Sequence, residues 1–277
     1  MKKLELTQEV VDTVVSMYAQ NSKVVEIARK VKTSNTRILE LLTELGIKRT
    51  KAETMRRNKG IGQLDNTVFD ILTADALYWI GFLYADGHIG KENDGHRVAV
   101  TLAAEDKGHL DKLNKFLGGN LNLMKQSGRK EYMKGQISNS QDSYRLSFSD
   151  RRIHSRLKEL GFTHNKTLLL DPHPLLENSR DFWRGVIDGD GWLCRTGCKR
   201  NDPDIGLSGT EATLLSFIKF LNNNGILCTT QPHKRKDANV WKMDIHSQST
   251  IKICDLLYKK ADTYLDRKYQ KYLSFIS

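Results

Sequence analysis

Two nonapeptides decide the reading of this chain: Trp79-Ile80-Gly81-Phe82-Leu83-Tyr84-Ala85-Asp86-Gly87 and Trp183-Arg184-Gly185-Val186-Ile187-Asp188-Gly189-Asp190-Gly191. Both run apolar, small, apolar, then acid-Gly, and Asp86 and Asp190 stand 104 residues apart. Gly81 and Ala85 are four residues apart, as are Gly185 and Gly189. On a helix each pair makes a small-residue stripe on one face. Such a stripe lets two helix backbones come close, a steric effect best described in membranes. Glycine is the usual residue just past a helix C-terminus. Each nonapeptide is therefore predicted to form a helix that packs on its twin and stops with an aspartate in its last turn. A carboxylate there meets the negative end of the helix dipole, at a cost of up to ~1 kcal/mol. Parallel helices side by side would bring two such carboxylates together. A divalent cation that takes oxygen ligands, Mg²⁺, Mn²⁺ or Ca²⁺, is the natural remedy.

The chain around these stretches has 277 residues, room for two or three units. It contains no run of about 18 apolar residues, so no membrane span is expected. The opening Met1-Lys2-Lys3-Leu4-Glu5-Leu6 lacks an apolar signal core. The expectation is a cytoplasmic, nucleoid-associated protein, or one encoded by a phage or organelle, and not a secreted one. The net charge of +11 favours a polyanionic partner, with nucleic acid first. Cys194, Cys198, Cys228 and Cys254 show no zinc-ligand spacing, and no paired histidines complete one. They read as ordinary thiols. No serine, cysteine or zinc hydrolase constellation is present.

Residues 1–47 read as a small helical unit. Thr7 is placed to cap a helix carrying Val11, Val14, Val15 and Tyr18, and Ser22 precedes a second helix over Val24–Val31. Lys32-Thr33-Ser34 makes a tight turn. Ser34 can cap a third helix with Ile38, Leu41, Leu42 and Leu45 on one face, closed by Gly46. Two helices about a short turn resemble a helix-turn-helix, with Asn35, Thr36 and Arg37 at the exposed start of the third helix as candidates to reach base edges. The alternative is a plain helical bundle or a protein-binding cap. Residues 48–73 begin with Lys48, Arg49, Lys51, Arg56, Arg57 and Lys59 against Glu53 alone, a basic linker suited to tracking phosphates.

From residue 74 the pattern runs twice. After the first nonapeptide come a strand at His88-Ile89-Gly90, a turn at Asn93-Asp94-Gly95 and a strand over Arg97–Leu102. A helix opened by Asp106 carries Leu110, Leu113, Phe116 and Leu117. Strands are expected near Leu121–Met124 and Tyr144–Phe148, with a polar, flexible 127–142 between them, and then a helix marked by Ile153, Leu157 and Leu160. After the second nonapeptide the same programme places strands at Trp192–Cys194 and Ile205–Ser208 and a helix over Thr213–Leu221. Strands near Leu227–Gln231 and Val240–Ile245 and a helix over Ile251–Lys259 complete it. Asp171-Pro172-His173-Pro174 joins the halves, 74–172 and 173–277. A repeat of this length and order is a duplication within the chain, not a solenoid.

The two nonapeptides, each heading its own set of hairpins and helices, resemble the paired signature of the LAGLIDADG homing endonucleases in their single-chain, two-motif form. The resemblance spans roughly residues 74–277. It implies an α+β fold of two pseudo-twofold-related αββαββα halves, with the motif helices at the interface and two sheets forming a saddle over duplex DNA. It implies a site-specific endonuclease that uses Mg²⁺, or Mn²⁺ in its place, to hydrolyse both strands of a long asymmetric duplex, leaving 3′ hydroxyl and 5′ phosphate ends, as a monomer. It makes Asp86 and Asp190 the metal-binding and catalytic acids, with the backbone carbonyls of Ala85 and Gly189 beside them. The signature's earlier acid is Asp188 in the second copy but Tyr84 in the first. Phe162-Thr163-His164-Asn165-Lys166-Thr167 and Tyr264-Leu265-Asp266-Arg267-Lys268-Tyr269 resemble the family's segments with a basic residue near the active site, so Lys166 and Lys268 are its catalytic candidates. Arg97, Lys125, Arg145, Arg195, Lys199, Arg200, Lys234, Arg235 and Lys242 are candidates to meet DNA from the strands, with Arg49, Arg56 and Arg57 from the linker. Strand alternation allows only about half of them to face one side. Two other readings use the same fold: a regulator that binds DNA without cutting, against which both acids argue, and a maturase acting on host intron RNA. An intein is not expected, because no splicing block or terminal His-Asn pair is present.

Overall fold

The structure, a computed structural model, describes residues 7–20, 22–49, 64–91, 94–128, 130–133, 136–139, 141–163, 171–196, 202–234 and 240–277, with backbone alone in the two strands between 130 and 139. The chain divides into two compact units, Met1–Gly60 and Ile61–Ser277.

The first unit holds α1 (Gln8–Ala19), α2 (Val24–Lys30) and α3 (Asn35–Glu44) around a core of Val14, Tyr18, Ile27, Ala28, Ile38, Leu41 and Leu42. Ser34 caps α3 as its sequence position implies, accepting a hydrogen bond from the Arg37 amide at 3.2 Å. Thr7 stands at the N-cap of α1 but its hydroxyl makes no capping bond. The amide of Lys23 instead donates to Glu26 at 3.0 Å to start α2, so Ser22 is not the cap.

The second unit is two matching halves. The first runs α4 (Ala74–Asp86), β1 (Gly87–Ile89), β2 (Arg97–Ala103), α5 (Lys107–Phe116), β3 (Leu123–Gln126), β4 (Lys130–Met133), β5 (Gln136–Asn139), β6 (Ser143–Ser149) and α6 (Arg151–Glu159). The second runs α7 (Arg180–Asp190), β7 (Gly191–Thr196), β8 (Asp202–Gly209), α8 (Glu211–Asn223), β9 (His233–Lys234), β10 (Trp241–His246), α9 (Gln248–Tyr258) and α10 (Asp266–Ile276). The antiparallel sheets have the orders β1-β2-β6-β3 and β7-β8-β10-β9, the same topology strand for strand. The first half adds a separate β4-β5 hairpin. That hairpin lies where the sequence suggests only a flexible polar stretch. In the other direction, 227–231 carries no strand, and β9 is two residues long and lies further on. Leu227, the apolar start of that expected strand, is 80% exposed. Helix α10 has no counterpart among the elements expected from the sequence.

Helices α4 and α7 interlock through their small residues. A Cβ on Gly81 would lie 2.0 Å from the carbonyl oxygen of Phe182, and one on Gly185 would lie 2.1 Å from that of Tyr78. One on Gly189 would lie 2.3 Å from the Cβ of Ala85. The two stripes thus meet in parallel register. Nearly every residue of α4 from Ala76 to Ala85 is buried, because the helix is covered by its twin on one side and sheets on the other. Each copy's tryptophan packs on the next helix of its own half: Trp79 on Phe116 of α5 at 6.2 Å, Trp183 on Phe220 of α8 at 6.0 Å, both pairs tilted by 35°. One continuous core runs through both halves.

The glycines that close the motifs stand just past the helix ends, as expected, but not in a left-handed conformation. Gly87 (φ −70°, ψ 146°) and Gly191 (φ −90°, ψ 171°) are extended, and each helix passes straight into a strand. A Cβ on Gly87 would come within 2.5 Å of the Leu83 carbonyl oxygen, and one on Gly191 within 2.7 Å of that of Ile187. Glycine is required there because the strand turns back tightly over the helix end.

Candidate active site and nucleic-acid interface

Because α4 and α7 are parallel and in register, Asp86 and Asp190 emerge at the same end of the pair. A Cβ on Gly189 would sit 3.4 Å from Asp86 Oδ2, which places the first half's acid against the second half's helix end. Both acids act electrostatically on one group, the ammonium of Lys268. That ammonium is buried and gives its three protons to the carbonyls of Ile187 (2.6 Å), Asp188 (2.7 Å) and Gly191 (2.6 Å). Lys268 therefore caps the C-terminus of α7 with a positive charge, the favourable sign for that end of the dipole. Burial brings its pKa down to about 8, while Asp188, Asp86 and Asp190 oppose the fall. Lys166 lies outside the described residues.

Asp188, the signature's earlier acid, is fully enclosed. It accepts from the hydroxyls of Tyr78 (2.7 Å) and Tyr258 (2.6 Å) and from the Leu265 amide (2.8 Å). Burial pushes its carboxyl pKa up, and Lys268 and these donors pull against that. His109 stands behind Tyr78, its Nε2 3.0 Å from the hydroxyl. Since Tyr78 donates to Asp188, the histidine nitrogen is the donor in that bond. Burial takes His109 down to about 3, so it is neutral. In the first copy Tyr84 occupies the matching place and shares a 2.7 Å hydrogen bond with Thr213 across the halves. Further ties cross the same interface: Arg267 to both oxygens of Asp106 (3.1 and 2.9 Å), Lys112 to Asp266 (2.6 Å) and Thr263 to Asp75 (2.6 Å). Asp106 thus pairs across the halves, and its side chain does not cap α5.

The sheet register sorts the basic candidates into two faces. Val98, Val100 and Leu102 on β2 and Leu146 and Phe148 on β6 point to the core, so Arg97 and Arg145 share the opposite, outer face with Ala99, Thr101 and Ser147. Lys125 pairs with Tyr144 and lies on the core side at the sheet edge, bridged to Asp142 at 2.8 Å. In the second sheet Met243 and Ile245 are core residues, so Lys242 is outer. Its ammonium rests 4.5 Å from the Trp192 ring centre, and that ring lies over Gly206, where a Cβ would meet it at 2.0 Å. Lys234 pairs with Trp241 and shares its core-side parity. Arg195 follows Leu193 on the helix side, bonding the Ser274 carbonyl and covering Phe275. Alternation, which the sequence could not phase, thus leaves Arg97, Arg145 and Lys242 on the outer faces. Lys199, Arg200 and Arg235 lie outside the described residues.

No protein-family model matches this sequence, and no curated protein matches it significantly. Among solved structures, the homing endonuclease I-WcaI bound to its DNA recognition sequence superposes with a TM-score of 0.54 at 14% identity, over 81% of this chain and 93% of that one. The chain has the LAGLIDADG homing-endonuclease fold. The I-SmaMI LAGLIDADG homing endonuclease bound to cleaved DNA (TM-score 0.45, 13% identity, 74% of this chain and 88% of that one) also matches. So does the LAGLIDADG homing endonuclease I-GzeII in complex with its DNA target (0.45, 12%, 72% and 88%).

The N-terminal candidates have surroundings of their own. Asn35 and Thr36 are exposed at the start of α3. Arg37 is held by Glu40 (3.2 Å) and Glu44 (3.4 Å) on its own helix. Arg49 lies over the Tyr18 ring at 4.0 Å and donates to the Tyr18 carbonyl at 2.6 Å, so it closes the small core. Arg56 and Arg57 lie outside the described residues. Sequence reasoning misses Tyr78, Tyr258 and His109 as the groups around Asp188, because none stands at a local spacing from it. Among the described residues no cluster of three or more His, Cys, Asp or Glu side chains forms a metal cage, and no helix is long and apolar enough to cross a membrane.

Proposed function

We propose that this protein is a site-specific double-stranded DNA endonuclease of the homing type, cutting both strands with a divalent metal. The observation that carries the reading is the delivery of Asp86 and Asp190, from two separate halves, to one end of an interlocked helix pair. Two carboxylates with the helix-end carbonyls of Ala85 and Gly189 make an all-oxygen donor set, which fits Mg²⁺ or Mn²⁺ and not a thiolate-seeking metal. Asp86 and Asp190 would hold the metal, which when bound supplies Lewis-acid charge and a more acidic water.

The chain's own groups prepare that centre. Lys268 neutralises the end of α7 from behind, so it acts as a positioning residue, with every proton of its ammonium committed to the backbone. Lys166 is its first-half counterpart by motif. Arg97, Arg145 and Lys242 meet the duplex from the outer sheet faces, mostly at phosphates. Residues 1–47, with the 48–73 linker, extend the contact into a neighbouring groove through Asn35 and Thr36. One chain supplies both halves, so the working state is a monomer. The DNA recognition sequence bound by I-WcaI supports DNA as the partner.

The test is selection of cleaved sites from a random duplex library in Mg²⁺, with Ca²⁺ in parallel. Recovery of one long asymmetric site, cut on both strands, is expected. Specific binding with no cutting in Mg²⁺ or Mn²⁺ would instead favour the regulator.

A further inference from the structure

On the outer face of the second sheet a buried carboxylate carries an exposed imidazole. Asp204 on β8 has only 4% of its side chain exposed, while His246, its register partner on β10, has 60% exposed. The His246 Nδ1 lies 2.6 Å from Asp204 Oδ1. A carboxylate only accepts, so Nδ1 carries the proton, and the tautomer is fixed with Nε2 turned away from Asp204. Alternation puts this pair on the same face as Lys242. The two outer faces differ in charge. Along the described strands of the first sheet that face presents Arg97 and Arg145 and no acid, whereas β8 and β10 present Asp202, Asp204 and Asp244 beside Lys242 and His246. The groups around the imidazole on this face are Asp204, Asp244, Lys242 and Cys194, which stands opposite Asp204 on β7. Lys271 of α10 acts electrostatically on Cys194. Helix α9 starts two residues on, with an uncharged first turn, Gln248–Ile251.

We infer that His246, held by Asp204, is a base-reading residue whose preference changes with pH. This rests on the DNA-cutting function proposed for the chain. In the neutral ring Nε2 is an acceptor, suited to the amino group of cytosine or adenine. In the charged ring it is a donor, suited to N7 or O6 of guanine. Nδ1 donates to Asp204 in both states, so the ring stays in place while its outward nitrogen reverses sense. Falling pH therefore shifts one position of the site from an amino-bearing base towards guanine.

The experiment is binding selection of a random duplex library by the full chain in Ca²⁺, at about pH 5.5 and about pH 8, the range over which histidine titrates. The wild type is expected to enrich guanine at one position, or two adjacent ones, about fivefold more at the lower pH, the worth of one hydrogen bond. His246→Gln should keep the rest of the site and show the same preference at both values. A specific site identical at both pH values overturns this assignment alone, as does a pH response that survives in His246→Gln. Failure to select any sequence at either pH overturns the DNA reading and this inference together.

Discussion

At the residue scale, the two signature positions that differ between copies show what surrounds the acids. Asp188 is a buried anion satisfied by two tyrosines, an amide and a nearby ammonium. Tyr84 fills the equivalent place by bonding Thr213 across the interface. None of this is legible in the sequence: the partners lie 70 to 129 residues away along the chain, and no periodicity joins them. Lys268 is legible as a residue of interest, but its bonds to three carbonyls are not. Its pKa is lowered in the fold to about 8 from an ordinary value of 10.5. Below about 8 both folded and unfolded chains hold the proton, and the fold bears the full cost of burying it. Between about 8 and about 10.5 the unfolded chain holds more protons, so stability rises with pH as far as this group is concerned. Lys268→Met should destabilise the protein by roughly 3 kcal/mol near neutrality, because the carbonyls and Asp188 lose their cation. The wild type's advantage over that variant should widen by more than ~1 kcal/mol between about pH 8 and about pH 10 in urea denaturation. A constant gap would show that Lys268 keeps its proton as firmly as an exposed lysine.

At the scale of elements, the motif helices are the most legible part of the chain, because small residues at a spacing of four have one geometric use. Gly185→Ala puts a methyl 2.1 Å from a carbonyl oxygen and 2.6 Å from the Phe82 amide nitrogen, both backbone atoms that cannot swing aside. It should force the helices apart at a cost of about 3 kcal/mol or more, a fall in Tm of several degrees. Gly108→Ala, also within a helix but with nothing within 4 Å of the added methyl, should stabilise by roughly 0.5–1 kcal/mol. Equal shifts for both, measured by thermal unfolding, would contradict the interlocked pair. The elements that differ from expectation share a cause. The short β9 and the β4-β5 hairpin have little apolar alternation, and the extended Gly87 and Gly191 look in sequence like ordinary helix stops. Helix α10 is hidden because its first residues match a motif segment, although Tyr272 and Phe275 supply a core-facing stripe.

At the scale of the whole molecule, duplication is what makes the site. Neither half alone brings two acids to one helix end, and each half's sheet repeats the other's strand order. The repeat and its length are visible in the sequence, and so the two-half architecture is too. The outward phase of each strand is not, since it depends on which alternate residues find a core. The small N-terminal unit has its own core, so a chain of residues 61–277 should unfold cooperatively by itself. In the proposed role, that truncated chain should bind a shorter DNA footprint with lower affinity, while still cutting. A footprint of unchanged length would remove the N-terminal unit from the interface. Whether Asp86 and Asp190 together form a DNA-cutting centre is decided most directly by Asp190→Asn on the selected duplex. The variant is expected to bind within about threefold of wild type yet lose cleavage in Mg²⁺ by roughly a thousandfold or more, as the loss of a group required for the chemical step would do. Wild-type rates of cutting on both strands by Asp190→Asn would contradict that centre.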